Sequence, residues 1–191
     1  MRALSEGQEQ PGKTVVLFQD EASFYRQPTQ AWLWAWAGRG QPKMPYSHRA
    51  NTLMRVVGLL DAHVGRVAAW DFPKVTAKRL AQCFAQIPRL YPDAERIYLV
   101  MDNWPVHAHP LVKAALAKAP QVHPLFLPTY APWLNPIEKL WRWAKQKVSH
   151  AHPWSDDFLT FRHYVREEFH SLAPGSATLK HYCGLDKVFC L

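Results

Sequence analysis

The chain has 191 residues, of which 48% are hydrophobic and 20% charged, a balance that is typical of one globular domain and excludes an intrinsically disordered protein. Its net charge of +8 favours a polyanionic partner such as nucleic acid. Its three cysteines have no metal-ligand spacing and do not form a disulfide scaffold, and no apolar run is long enough to span a membrane, so we expect a cytoplasmic protein.

The first predicted strand ends at two acidic residues. Residues 1–13 are polar and predict a flexible lead-in. Residues 14–20 form a run of apolar and β-forming residues, which is typical of a strand buried on both faces. Asp20 and Glu21 at its end are either turn residues or functional groups at the edge of a sheet.

Residues 31–37 (AWLWAWA) alternate large and small side chains. This pattern predicts a strand and turn, forming half of a hairpin with residues 43–46. Its three tryptophans either pack within the sheet or stack on nucleic-acid bases. Residues 53–60 and 65–70 predict a second hairpin, in which Asp61 is a turn residue and not a catalytic one.

The middle of the chain repeats the pattern of a strand ending in an aspartate. A helix is predicted over residues 76–90, followed by a buried strand over residues 96–102 that ends at Asp102. Asn103 and His107 lead from there into a helix that reaches about residue 119. His107 is either a polar residue at a helix start or a functional group. Residues 122–127 predict one more strand.

Residues 127–145 (LPTYAPWLNPIEKLWRWAK) organise the rest of the chain. Their prolines predict a loop, after which Asn135 is a good N-cap and Pro136 suits the first helical position. The apolar face of this helix is formed by Ile137, Leu140, Trp141, Ala144 and Val148. Glu138 lies off that face. It is either an ordinary first-turn acid paired with Arg142 or a functional carboxylate.

Three acids stand in matching contexts, because Asp20 and Asp102 end strands and Glu138 begins a helix. In a mixed α/β sheet such positions converge at one edge. Converging carboxylates repel one another unless a cation neutralises them, and hard oxygen ligands suit Mg²⁺ or Mn²⁺. Two such ions suit in-line displacement at a phosphodiester. We expect Asp20 to bridge both ions, with Asp102 and Glu138 each holding one.

Three sequence motifs carry a resemblance to a known family. They are Gln19-Asp20-Glu21, Met101-Asp102-Asn103 through His107, and Leu127-Pro-x-Tyr-x-Pro-x-Leu-Asn-Pro-Ile-Glu138 followed by Trp141. In this order they resemble the catalytic domain of DDE transposases, in particular the bacterial insertion-sequence 630 branch of the mariner superfamily. The resemblance covers residues 15–149, which is most of the chain.

The resemblance implies an α/β, ribonuclease H-like fold with a mixed central sheet flanked by helices. The catalytic domain would span residues 14–150, with a C-terminal helix and tail over residues 151–191. The implied activity is DNA cleavage and strand transfer at transposon ends, dependent on two Mg²⁺ ions for which Mn²⁺ can substitute. The residues carried over as the catalytic, metal-binding triad are Asp20, Asp102 and Glu138. Those carried over as supporting residues are Asn103, His107 and Asn135.

The implied partners are double-stranded DNA, as transposon terminal repeats and target, and a second copy of the chain. Relatives carry helix-turn-helix domains before the first catalytic strand, whereas about 13 residues precede it here. We therefore expect an upstream helix-turn-helix polypeptide or reading frame. The basic candidates for DNA contact, each otherwise a solvated surface residue, are Arg39, Lys43, Arg49, Arg142, Lys145 and Lys147. The alternatives are a nuclease of the same fold without strand transfer and a non-catalytic remnant that binds DNA or dimerises.

Overall fold

The computed structural model describes residues 2–32, 34, 36–38, 40, 41, 43–129 and 131–186. Within them lies a mixed five-stranded sheet with strand order β3-β2-β1-β4-β5. Its strands are β1 (Thr14–Tyr25), β2 (Leu53–Asp61), β3 (Val67–Phe72), β4 (Arg96–Met101) and β5 (Val122–Phe126). The first three pair antiparallel, and β4 runs parallel to both β1 and β5. The predicted mixed central sheet is thereby confirmed.

Helices cover both faces of the sheet. They are α1 (Arg2–Glu9), α2 (Ala77–Phe84), α3 (Ile87–Leu90), α4 (Pro110–Ala117), α5 (Ile137–Val148), α6 (Phe158–Ser171) and α7 (Ala177–Cys183). Side chains alternate along β1, so Val16 and Phe18 pack into a core with α5, α6 and α7, while Val15 and Leu17 pack into a second core with α2 and α4. None of the helices in the described part of the chain is long and apolar enough to cross a membrane.

The N-terminal residues form a helix where a flexible lead-in was predicted. Leu4 and Gly7 of α1 are buried. Gly7 lies so close to the His63 ring that an added Cβ would fall 2.2 Å from it. Glu6 also accepts a hydrogen bond from the Tyr98 hydroxyl at 2.5 Å. The helix is stabilised by these tertiary contacts, which the polar local sequence does not reveal.

The predicted tryptophan strand is absent from the described residues between β1 and β2. Trp32, Trp34 and Trp36 are fully exposed and belong to no strand. A period-two pattern forms a strand only where a neighbouring strand pairs with it, and none of the five strands pairs with the described residues of this segment. Sheet packing therefore does not explain these three side chains.

Two further helical boundaries differ from the prediction. The single helix expected over residues 76–90 is two helices, because Pro88 lies in the first turn of α3 and a proline cannot continue the preceding helical hydrogen bonds. In the C-terminal tail, α7 was not predicted. Ser176 caps its start by accepting a hydrogen bond from the Leu179 amide, and Gly184 ends it at a left-handed φ of 75°.

Candidate active site

Asp20, Asp102 and Glu138 line one cavity of about 310 Å³. The parallel register of β1 and β4 brings the two aspartates together, because Phe18 pairs with Val100 and each aspartate lies two residues further along the chain. Asp20 is within β1, whereas Asp102 directly follows β4. Glu138 arrives from the first turn of α5. Among the predicted supporting residues, Asn103 and Asn135 also line this cavity.

Asp20 is the most enclosed of the three acids. Burial raises the pKa of its carboxyl to about 7, and the negative charges of Glu21 and Glu138 add to the rise. Trp141 opposes it by donating a hydrogen bond from Nε1 to Oδ2 at 2.9 Å. A nearby cation would lower this pKa and favour the ionised form of Asp20, which is the environment expected of a metal ligand.

Trp141 contacts the site directly. From the sequence it was expected on the apolar face of the helix, and no contact with an acidic residue was predicted for it. Its indole lies over Gly58 of β2, the residue paired with Asp20. A Cβ at Gly58 would lie 2.4 Å from the indole Cη2, so only glycine leaves room for the ring at this depth. The glycine within the apolar run 53–60 is the feature of the sequence that could have indicated this close approach.

Asp102 is exposed, and neighbouring groups hold its carboxylate and its carbonyl. Oδ1 accepts a hydrogen bond from the Trp104 amide at 3.0 Å. The buried His107 lies beside it, with Nδ1 3.0 Å from the Asp102 carbonyl oxygen and 3.3 Å from Oδ1. Asn103 donates to the Leu127 carbonyl at 2.7 Å and so ties the end of β4 to the end of β5. Burial alone would lower the pKa of His107, but the neighbouring Glu21 and Asp102 raise it above its usual value.

Asn135 does not cap α5 with its side chain, which corrects the prediction. Pro136 occupies the cap position. Asn135 instead donates from Nδ2 to the Gln19 carbonyl at 3.2 Å, which joins the start of α5 to β1 next to Asp20. Its Oδ1 is buried and has no hydrogen-bond partner within the described chain. An ion pair with Arg142, which was one of the two alternatives for Glu138, is not formed among the described residues. Glu138 is exposed at the cavity.

The donor set fits a hard divalent cation in an open site. It comprises the carboxylates of Asp20, Asp102 and Glu138, all of them oxygen donors. No three acidic, histidine or cysteine side chains among the described residues are grouped closely enough to hold an ion by themselves. Mg²⁺ commonly uses one or two carboxylates and completes its shell with water and substrate phosphates. A Mg²⁺ ion coordinated in this way does not need three protein side chains around it.

Two of the six predicted DNA-contact residues flank Glu138. Arg142 and Lys145 line a second cavity of about 370 Å³, to which Glu138 also contributes. Lys147 does not line this cavity and forms an ion pair instead, since its Nζ lies 3.0 Å from the Glu168 carboxylate. The other three lie in the segment between β1 and β2, where Lys43 and Arg49 are exposed and Arg39 is outside the described residues.

Most of this chain is similar to known proteins. Residues 15–159 match the family described as DDE superfamily endonuclease. An uncharacterized 39 kDa protein of insertion element IS630 from Shigella sonnei is 24% identical over 140 residues, which cover 73% of this chain. The chain spans only 40% of the length of that relative.

Solved structures of the Mos1 transposase share the fold. Its paired-end complex with the left transposon end superposes with a TM-score of 0.65 at 17% identity, over 97% of this chain and 55% of that one. The catalytic domain of Mos1 mariner transposase superposes with a TM-score of 0.60 at 16% identity, over 97% and 82% of the two chains. The predicted ribonuclease H-like fold is confirmed. With three quarters of its length matched, the chain belongs to the DDE superfamily endonuclease family.

Proposed function

We propose that this chain is the catalytic part of a transposase that cleaves and joins DNA strands at transposon ends. The observation that carries the proposal is the convergence of Asp20, Asp102 and Glu138, from three separate segments, on one cavity. The Mos1 relatives support it, because their structures are complexes with a transposon end, a strand transfer complex, and paired-end complexes with Mn and with Mg.

Asp20, Asp102 and Glu138 would together hold two Mg²⁺ ions. When bound, such ions activate a water or a 3′-hydroxyl for attack on a phosphodiester and stabilise the leaving oxygen. Trp141 keeps the Asp20 carboxylate oriented toward the cavity. Asn135 and Asn103 fix the start of α5 and the end of β4, from which Glu138 and Asp102 project.

Arg142 and Lys145 would bind the phosphate backbone beside Glu138. Their cavity adjoins the active site, and cationic groups that neutralise phosphates give an affinity that falls steeply with salt. Lys43, Arg49 and Arg39 remain candidates for contacts made by the segment between β1 and β2. We leave Lys147 out of this surface, because its ammonium group is paired with Glu168 and lies over the Trp143 ring.

Recognition of the transposon end would require further protein. The chain spans 40% of its curated relative and 55% of the Mos1 chain. We therefore propose that an upstream helix-turn-helix segment or polypeptide reads the terminal repeats. Two copies of the catalytic part would act together, because a transposon has two ends to process. The protein would act on DNA in the bacterial cytoplasm.

Cleavage of end-labelled duplex DNA carrying the element's termini, in Mg²⁺ and in Mn²⁺, tests the proposal. We expect metal-dependent nicking by the wild type and none by Glu138→Gln, which keeps the size of the side chain but removes its charge. Glu9→Gln, an exposed glutamate at the end of α1, is the matched control and retains activity. Nicking by Glu138→Gln at the wild-type rate would contradict the assignment.

The products separate the alternatives. Joining of the cut strand to target DNA identifies a transposase, whereas cleavage without joining identifies a nuclease. If the chain becomes active only after helix-turn-helix domains are fused to it, then its active site is functional and only DNA recognition is missing. An inert fusion would show that the chain is a remnant.

A further inference from the structure

Glu21 follows Asp20 in β1, and the two carboxylates project to opposite faces of the sheet because side chains alternate along a strand. Asp20 faces Trp141 on α5. On the other face, Glu21 accepts a hydrogen bond from Gln19 Nε2 at 2.8 Å. Its side chain is only 16% exposed and does not line the active-site cavity. An acid enclosed beside the triad, yet outside its cavity, calls for a separate role.

His107 links Glu21 to Asp102. The imidazole is buried, stacked on the Phe84 ring and in edge contact with the Trp104 ring. Nδ1 lies 3.0 Å from the Asp102 carbonyl oxygen, and because a carbonyl only accepts hydrogen bonds, Nδ1 carries a proton. Nε2 faces the other way and lies 3.9 Å from Oε1 of Glu21, which is an ion-pair distance and not a hydrogen bond, so the buried Nε2 has Glu21 as its charged neighbour. The ring therefore bridges β1 and the end of β4.

Apart from the Trp104 amide, the His107 ring is the neighbour that restrains the Asp102 carboxylate. The Asp102 side chain is 56% exposed, so burial does not restrict its rotation. Its Oδ1 lies between the Trp104 amide at 3.0 Å and His107 Nδ1 at 3.3 Å. With Oδ1 held in this way, Oδ2 is the oxygen that remains for the cavity in the described structure.

We infer that Glu21 and His107 form a positioning pair that holds the Asp102 carboxylate in the orientation needed to bind a divalent cation. This inference rests on the proposed function, in which Asp102 is a metal ligand. Neither residue touches the ion in this scheme. Glu21 orients the imidazole, and the imidazole orients the main chain and one carboxylate oxygen of Asp102. Groups that orient metal ligands in this way typically contribute about 10- to 100-fold to metal affinity.

The affinity of the metal-free full chain for Mn²⁺, followed by the electron paramagnetic resonance signal of free Mn²⁺, tests this inference. We expect Glu21→Gln and His107→Phe each to weaken binding by about 10- to 100-fold. Because both substitutions break one link, Glu21→Gln should have no further effect in the His107→Phe background. His107→Asn keeps an amide donor near the position of Nδ1 and should bind Mn²⁺ more tightly than His107→Phe. Glu9→Gln is the charge-matched control and should bind like the wild type.

Asp102→Asn separates failure of this inference from failure of the proposed function. If Asp102→Asn weakens Mn²⁺ binding but Glu21→Gln and His107→Phe do not, the pair has no positioning role and the inference is overturned. If the wild type binds no Mn²⁺, or Asp102→Asn binds it unchanged, the proposed metal site fails and the inference fails with it. Thermal unfolding of each metal-free variant reports any loss of fold. Should His107→Phe not fold, the nearly isosteric Glu21→Gln decides the question.

Discussion

Replacing Asp20 by asparagine should stabilise the metal-free protein at neutral pH. Burial raises the pKa of Asp20 from 3.8 to about 7 in the folded chain. Between these two values the unfolded chain has lost this proton while the folded chain keeps it, so rising pH favours unfolding. The stability contributed by the raised pKa is present below pH 4 and is lost as the pH approaches 7. The penalty at pH 8 is about 4 kcal/mol, since each pKa unit corresponds to about 1.4 kcal/mol.

Urea denaturation of the wild type and Asp20→Asn at pH 5 and pH 8 measures this penalty. At pH 5 less than half of it has developed, so the advantage of the asparagine variant should be larger at pH 8 by about 2–3 kcal/mol. Comparing the two pH values cancels contributions that do not depend on pH, including any altered hydrogen bond to Trp141. Asp93→Asn, at an exposed position, is the control and should show no such difference. An equal effect of Asp20→Asn at both pH values would refute the reasoning.

Three further predictions follow from the packing and charge of the site. Gly58→Ala should destabilise the chain by about 1–3 kcal/mol in urea denaturation, because its Cβ would lie 2.4 Å from Trp141, whereas Gly40→Ala meets no atom within 4 Å and should leave stability nearly unchanged. Addition of Mg²⁺ should raise the unfolding temperature of the wild type but not that of Asp20→Asn, since only a protein that binds the ion is stabilised by it. Arg142→Ala should weaken DNA binding and reduce the slope of log affinity against log salt by about 1, and an unchanged slope in a filter-binding titration would contradict the phosphate contact.

Local sequence determined the strands and the principal helices of this protein. Residues 15–18 of β1 and 97–101 of β4 are apolar because both of their faces are covered by helices, and this burial is visible as a pattern of residue types. The acids Asp20 and Asp102 were identified because each follows such a run. The hairpin turn was also readable, since Asp61 accepts hydrogen bonds from the His63 and Val64 amides as a turn aspartate does.

Several features depend on contacts between residues distant in the chain. The tryptophan alternation over residues 31–37 is a strand pattern, yet Trp32, Trp34 and Trp36, which the structure describes, belong to no strand, so local propensity gave the wrong answer for these three residues. Asn135 has the residue type of a helix cap, yet its amide bonds to the Gln19 carbonyl, 116 positions away. Residues 2–9 form a helix because the sheet and His63 provide a surface for them.

The difference between the features predicted from the sequence and those that only the tertiary structure decided has one physical cause. Residue type and spacing report how much of a segment is buried and with what period, and this was enough to single out three carboxylates. The predicted end of the first strand at Asp20 was wrong, because pairing with β2 continues β1 to Tyr25. Neither residue type nor spacing reports which distant group fills a given space. That Trp141 reaches Asp20 through the gap left by Gly58, and that His107 lies between Asp102 and Glu21, was decided only when the sheet and its two helix layers packed together.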